Sequence, residues 1–325
     1  MGDNKFIPEN NGKRQPNGLW LAEQYYQTYG KNMIHQEFAQ YEERIAVGLC
    51  GEGSECFGYD DIVSMDHDFE AGFCMWLLPK DEEKVGFRLY RAYEKLPKEF
   101  MGISKKAQSF GGAGRRGVST IPAFYERFTG NGGVPETLEQ WLYTPEYALA
   151  CAVNGRVFRD DLGEFSRIRA ELKKGLPEDV RRKKIAARAA LMAQAGQYNY
   201  LRCLRHGEKG AARMALFQFV QEGIAMVFLL NRRYMPYYKW SFRAMRELQI
   251  LPDVGRRLEI LLESREGERE TAEEIEQICQ MIILELKRQG LTGGNWDYLE
   301  PHAMEVMERI SDGRLRNLHV MDGGA

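Results

Sequence analysis

The chain has 325 residues, of which 44% are apolar and 28% charged, with a formal net charge of −2. This is the composition of a soluble globular protein long enough for two domains, and its near-neutral charge argues against nucleic acid as a partner. No uninterrupted apolar run reaches membrane-spanning length and the polar N-terminus lacks a signal-peptide core, so we expect a cytoplasmic protein with no membrane partner.

The first third of the chain predicts a mixture of helix and strand. Residues 1–17 are polar and predict a disordered N-terminus. Residues 19–44 predict a long aromatic-rich helix, since apolar side chains recur every three to five positions. The block 45–78 predicts a strand, a turn with a short helix, and a second strand. An amphipathic helix is predicted at 81–97.

A basic loop and a third strand follow. Residues 102–117 are rich in Gly, Lys and Arg and predict a loop. Residues 118–121 predict a short strand, and Pro122 either limits its length or places it at an edge of the sheet.

After about residue 134 nearly all of the sequence predicts helix. The exception is 156–158, which predicts a short strand. Residues 177–204 predict a long basic helix, and 214–230 are apolar almost all round, as in the buried central helix of a bundle. A later helix is predicted to open with a capping box at 271–274 and to stop at Gly290.

The predicted fold class is therefore α+β, with a small mixed-sheet domain followed by an all-helical bundle. After the disordered residues 1–17, the sheet domain is expected at 18–133 and the helical domain at 134–325. The turn-rich sequence at 130–135 marks the expected boundary.

The strongest functional signal is a pair of short motifs. Gly53-Ser54 suits a tight turn where backbone N–H groups and a hydroxyl meet a phosphate. Asp66 and Asp68 are two residues apart, so in a strand their carboxylates share a face while His67 points away. Two hard oxygen donors on one face are what Mg²⁺ carrying substrate phosphates requires. We interpret these motifs as a phosphate-plus-metal site rather than as a polar hairpin with acidic turn residues.

This order of motifs resembles the signature of the nucleotidyltransferase superfamily. The string from Gly53 to Asp68 is similar to that of an uncharacterised bacterial family within it, which joins such a domain to a helical domain as the antibiotic nucleotidyltransferases do. Two further stretches, 154–163 and 230–240, carry the resemblance, which extends over about 19–265.

The resemblance implies transfer of a nucleoside monophosphate from a nucleoside triphosphate to an unidentified small-molecule or protein acceptor. On this interpretation Gly53 and Ser54 bind the nucleotide. Asp66 and Asp68 are the catalytic and metal-binding carboxylates, which hold Mg²⁺ so that it orients the phosphates and offsets charge on the departing pyrophosphate.

The sequence departs from the superfamily pattern at a third carboxylate, which normally lies on the following strand. No Asp or Glu occurs between Glu99 and Glu126. Either Glu126 or Asp160 substitutes, or an acid of the helical domain is the base, or there is no efficient catalysis. The last alternative describes a catalytically weak or inactive nucleotide-binding or regulatory protein with the same fold.

Two of three basic stretches have both a functional and a structural interpretation. At 231–240, Asn231 and Lys239 are predicted to bind the nucleotide, and the alternative is a helix terminus whose cations face the dipole. The cluster around Gly207 is interpreted as a solvated turn, and the alternative is that Arg202 or His206 binds the triphosphate or the acceptor. The run 181–184 is interpreted as the exposed face of its helix.

Overall fold

The computed structural model describes residues 6–10, 13–65, 69–106, 115–263 and 268–324. The fold is α+β, as predicted, with a small mixed sheet and a helical region. The chain forms two compact units. Unit 1 comprises Met1–Pro135 and Ala148–Lys174, and unit 2 comprises Glu136–Tyr147 and Gly175–Ala325.

The strands in chain order are β1 (Phe6–Asn10), β2 (Lys13–Pro16), β3 (Ala46–Leu49), β4 (Cys74–Leu77), β5 (Glu99–Phe100), β6 (Ile103–Ser104), β7 (Gly117–Thr120) and β8 (Arg156–Arg159). The α-helices are α1 (Gly18–Tyr25), α2 (Lys31–Glu37), α3 (Ser54–Phe57), α4 (Pro79–Lys95), α5 (Ile121–Thr129), α6 (Leu138–Tyr143), α7 (Glu146–Val153), α8 (Glu164–Leu172), α9 (Glu178–Met192), α10 (Leu201–Arg205), α11 (Lys209–Leu230), α12 (Tyr238–Met245), α13 (Pro252–Glu263), α14 (Glu268–Arg288), α15 (Leu299–Glu308) and α16 (Gly313–Arg316). Helical turns of other types lie at Tyr26–Gly30, Ala39–Arg44, Val63–Met65 and Ala193–Tyr200.

The main sheet of unit 1 has the strand order β7-β4-β3-β8. β3 pairs antiparallel with β4 and β8, while β4 pairs parallel with β7. The strands predicted in the blocks 45–78, 118–121 and 156–158 are thus confirmed. β7 is an edge strand and Pro122 lies in the first turn of α5, which agrees with the poor fit of proline to a central strand.

Both faces of the sheet are covered, which explains why every residue of β3 and β4 is buried. Met75 and Leu77 belong to a core with side chains of α1, α2 and α4. Trp76 points to the opposite face, where it stacks on Phe165 with ring centroids 4.0 Å apart and contacts Phe124 at 5.2 Å. The alternation of side chains along a strand produces this two-sided core.

The division into units differs from the expected single helical domain at 134–325. Residues 148–174 belong to unit 1. The physical reason is that β8 pairs with β3, and Phe165 of α8 completes the packing around Trp76. The chain thus enters unit 2 at residue 136 and comes back to unit 1 at residue 148. There β8 joins the sheet and α8 follows it.

The described residues of the N-terminal segment include β1 and β2, which pair antiparallel. The rest of the segment 1–16, where disorder is expected, lies outside the described residues.

Unit 2 is helical, with α9 packed against α6, α11 and α15. The expected buried helix is α11, whose second half is buried while Met214 and Phe217 remain exposed. Among the described residues, α11 alone is long and apolar enough to cross a membrane by length and composition. Its most apolar window is 72% buried inside the protein, as in the core helix of a bundle.

Two sequence interpretations in this region are wrong. Arg181, Lys183 and Lys184 are buried rather than exposed, because α9 lies at the centre of unit 2. Lys183 Nζ donates to three backbone carbonyls of the C-terminal segment, and Lys184 pairs with Glu146. The capping box at 271–274 lies inside α14 rather than at its start. The predicted stop at Gly290, with φ of +67°, is confirmed.

Candidate functional site

The Gly-Ser motif lies where the central strand β3 leads into α3. Gly53 precedes Ser54, the first residue of the helix. Gly53 has φ of +116°, and a Cβ there would lie 2.5 Å from a carboxylate oxygen of Glu55. The positive φ favours glycine, and a larger residue would also have to displace the Glu55 carboxylate. The predicted strand, tight turn and short helix are all present at this point.

A buried ion-pair bridge holds the turn. The Arg116 guanidinium donates through Nη2 to Glu55 Oε1 at 3.3 Å and through Nη1 to Glu70 Oε1 at 3.2 Å. Its side chain is 1% exposed. Burial acts to lower the pKa of Arg116, but the two carboxylates outweigh it and raise the pKa. Burial also raises the pKa of Glu55, and Arg116 opposes that rise. One charged arginine therefore joins α3 to the segment before β4.

A second brace comes from the residues before β8. The Asn154 amide accepts from the Gly51 N–H at 2.9 Å and donates to the Gly51 carbonyl at 2.7 Å. The Gly155 N–H donates to the Cys56 carbonyl at 2.8 Å. Arg169 Nη2 donates to the carbonyls of both Asn154 and Gly155. These bonds hold the turn between β3 and α3 at both ends.

Two arginines converge on an acid beside the turn. Arg127 Nη2 lies 3.2 Å from Glu52 Oε2, and Arg115 Nε lies 3.9 Å from the same oxygen. The Glu52 side chain is 52% exposed. Exposed pairs of this kind contribute about 0–1 kcal/mol, so these guanidinium groups can exchange Glu52 for an anionic ligand at low cost.

The thiols around the turn are neutral. Burial raises the pKa of Cys50 to about 12 and that of Cys74 to about 11, and it raises the pKa of Cys56 well above its ordinary value. A cysteine nucleophile reacts as the thiolate. The chemistry open to this site is therefore that of oxygen and nitrogen groups.

The acidic motif Asp66-His67-Asp68 lies outside the described residues. The interpretation of Asp66 and Asp68 as catalytic and metal-binding carboxylates stays a prediction. Within the described ranges, no group of three or more His, Cys, Asp and Glu side chains is placed to hold a metal ion.

The acids proposed as a third carboxylate have other environments. Asp160 accepts from the backbone N–H groups of Gly163 at 3.1 Å and Ser166 at 2.7 Å, which satisfies the start of α8. Glu126 is exposed on α5. Asp160 thus has a structural task, whereas the Glu126 carboxylate is open to solvent.

Asn231 and Lys239, the other predicted nucleotide ligands, belong to unit 2. The Asn231 amide donates to the carbonyls of Val227 at 2.8 Å and Ile250 at 2.9 Å, and accepts from the Ile250 N–H at 2.9 Å. These bonds fix the end of α11. Lys239 is exposed in the first turn of α12, with Nζ 5.1 Å from the centre of the Trp240 ring.

Sequence reasoning missed the bridge formed by Glu55, Glu70 and Arg116. A weak signal was present, because Glu70 is followed by the apolar run from Ala71 to Leu78, in which a charge is expected to be buried and paired. The common partner of the two acids was not predictable, since it lies 46 and 61 positions away.

Comparison with known proteins gives limited overlap. Residues 141–241 match a family model described as a domain of unknown function, DUF4037. No curated protein matches the chain. One similar solved structure is that of a nucleotidyltransferase-like protein from Exiguobacterium sibiricum 255-15, with a TM-score of 0.36 and 14% identity over 89% of this chain and 81% of that one. The family match covers less than half of the chain, and a likeness at this TM-score supports no argument about function.

Proposed function

We propose that the protein is a Mg²⁺-dependent nucleotidyltransferase that moves a nucleoside monophosphate from a nucleoside triphosphate to a small-molecule or protein acceptor. Gly53 and Ser54 bind the triphosphate in this proposal. Asp66 and Asp68 bind the metal and are the catalytic carboxylates. Lys239 is a further candidate for the nucleotide, whereas the hydrogen bonds of the Asn231 amide favour a structural role.

The observation that carries the proposal is the Arg116 bridge. Glu55 follows Ser54 directly in α3, and Glu70 follows Asp68 by two residues. Both carboxylates bind the same guanidinium. The covalent chain therefore ties the acidic motif to the same bridge that holds the Gly-Ser turn, which supports a common site for the two motifs.

The charges around the turn support a requirement for a divalent cation. Glu55 and Glu70 both pair with Arg116, and the acidic motif adds the carboxylates of Asp66 and Asp68. A triphosphate would be repelled by this group of acids without a cation, and Mg²⁺ is commonly bound by one or two carboxylates plus substrate phosphates. When bound, the ion offsets charge on the departing pyrophosphate. In this proposal Arg115 and Arg127, which both contact Glu52, also bind the phosphates.

A second candidate is a nucleotide-binding protein without efficient turnover. It is favoured by the environment of Asp160, whose carboxylate caps α8 and is not free to serve as a third acid. In this case the triphosphate and metal bind as proposed, and the protein acts through its bound state.

Calorimetric titration with the common nucleoside triphosphates, with and without Mg²⁺, tests the proposal. We expect Mg²⁺-dependent binding by the wild type, its loss in D66N/D68N, and its retention in E136Q/E139Q, which removes two exposed acids elsewhere. Absence of binding by the wild type, or equal affinity in D66N/D68N, would overturn the proposal. Pyrophosphate release in an acceptor screen then separates the enzyme from the second candidate.

A further inference from the structure

Unit 2 contains a cationic cavity that the proposed nucleotidyl transfer does not use. Its volume is about 810 Å³, which is within the range of small-molecule sites. It is formed at the start of α9 and at the ends of α11 and α14. Among the described residues, its charged lining consists of one acid and five arginines, namely Glu178, Arg181, Arg182, Arg232, Arg288 and Arg309.

Inside the cavity three arginines share a single carboxylate. Glu178 accepts from Arg181 at 2.9 and 3.2 Å and from Arg232 at 2.8 Å. Arg182 Nε lies 3.5 Å from the same carboxylate. The Arg181 side chain is 3% exposed, whereas those of Arg182 and Arg232 are 27% and 60% exposed. Guanidinium groups that outnumber the acids beside them favour an added anion.

Acids beside the cavity but outside its lining do not cancel its excess of positive charge. Asp179 pairs with Arg182 and Glu285 pairs with Arg288. Counting these two acids, the cavity still has two positive charges more than negative ones. Within the part of the chain that the structure describes, the Arg309 guanidinium has no hydrogen bond or ion pair.

Arg232 occupies a backbone position that ordinarily suits glycine. Its φ is +54°, and the following N–H, of Arg233, donates to the Phe228 carbonyl at 3.0 Å. This is the bond of a helix C-terminal motif in which the left-handed residue is most often glycine. The chain instead has an arginine there, whose side chain is 60% exposed. A strained position that presents a cation to a cavity indicates a function for that cation.

We propose that this cavity binds a small molecule that carries a phosphate monoester group. The phosphate dianion matches the two excess positive charges, and it contacts the Arg232 and Arg309 guanidinium groups. The organic part lies against the apolar lining side chains Leu230, Ile250 and Leu291. A guanidinium group can donate two parallel hydrogen bonds to two oxygens of a phosphate. This site is in unit 2 and does not depend on the proposed transferase activity.

Titration calorimetry with phenyl phosphate in the presence of EDTA tests the proposal, since chelation of Mg²⁺ removes metal-dependent binding at the Gly-Ser turn. We expect one saturable site, with affinity at least tenfold lower in R232G and in R309Q. R232G places glycine at a left-handed position, so its melting temperature is expected to be unchanged or higher. R269Q is the control, because Arg269 also pairs with a glutamate but lies near the other end of α14, about 28 Å away along the helix.

Several outcomes would overturn the proposal. The first is no saturable binding by the wild type, and the second is an equal loss of affinity in R269Q. Equally tight binding of malonate would exclude a phosphate-specific site, and loss of binding in D66N/D68N would move it to unit 1. Retained affinity in R309Q would overturn it too, whatever the stability of R232G, because Arg309 has no structural partner to lose.

Discussion

The Arg116 guanidinium forms ion pairs with two buried carboxylates, those of Glu55 and Glu70. Glu55 and Glu70 are each less than 7% exposed as side chains, so water cannot replace the arginine as their partner. Transferring charges out of water is costly, and a buried pair is stabilising mainly relative to its broken form. The bridge is therefore a means of positioning α3 and the segment before β4, and its removal should affect both.

The first prediction concerns this bridge. We expect R116M to reduce the free energy of unfolding by about 3–5 kcal/mol, because two carboxylates lose their buried partner. In the triple variant R116M/E55Q/E70Q the loss should be smaller, since no buried charge is left unpaired. Urea unfolding followed by circular dichroism measures both values. A loss below about 1 kcal/mol in R116M would contradict the structural role.

At the scale of elements, the residues before β8 lie very close to β3. This contact helps to determine the geometry of the Gly-Ser turn. Gly155 has φ of +69°, and a Cβ on it would lie 2.0 Å from the Leu49 carbonyl oxygen. The neighbour is backbone of a central strand, which cannot move aside as a side chain can. Gly163 has a similar φ of +77°, but no atom lies within 4 Å of the corresponding Cβ position.

These two glycines give a matched pair of variants. We expect Gly163→Ala to cost about 1 kcal/mol, from backbone strain alone. Gly155→Ala should cost about 3 kcal/mol or more, since overlap with β3 is added to the strain. Thermal and urea unfolding compare the two. Equal losses of unfolding free energy in the two variants would show that the contact of Gly155 with β3 does not restrict the residue at this position.

At the scale of the whole molecule, the chain crosses between its two units three times, after residues 135, 147 and 174. Unit 1 is therefore discontinuous in sequence. Without residues 148–174, β3 becomes an edge strand and Trp76 loses the ring of Phe165 that stacks on it. An open strand edge beside exposed apolar surface favours aggregation.

A pair of fragments tests this organisation. We expect the fragment 1–174, which contains all of unit 1, to be monomeric in gel filtration and to unfold cooperatively on heating. The fragment 1–135 should aggregate or lack a cooperative transition. Cooperative unfolding of 1–135 at the same temperature as 1–174 would show that β8 and α8 are dispensable for unit 1.

Local sequence patterns by themselves determined much of the secondary structure. The strands β3, β4, β7 and β8, the helix α4 and the stop at Gly290 all follow from periodicity and turn chemistry within short windows. The Gly-Ser turn was predictable for the same reason, because a tight turn between strand and helix is a property of contiguous residues. The α+β class followed from the order of these elements.

Only the tertiary structure decided which residues are partners. It buried Arg181, Lys183 and Lys184, whose run of charges by itself indicates an exposed helix face. It returned β8 to the sheet, and it joined Arg116 to Glu55 across 61 positions of the chain. Burial and pairing depend on which distant elements pack together. The hydrophobic period of a single helix or strand does not show which elements these are.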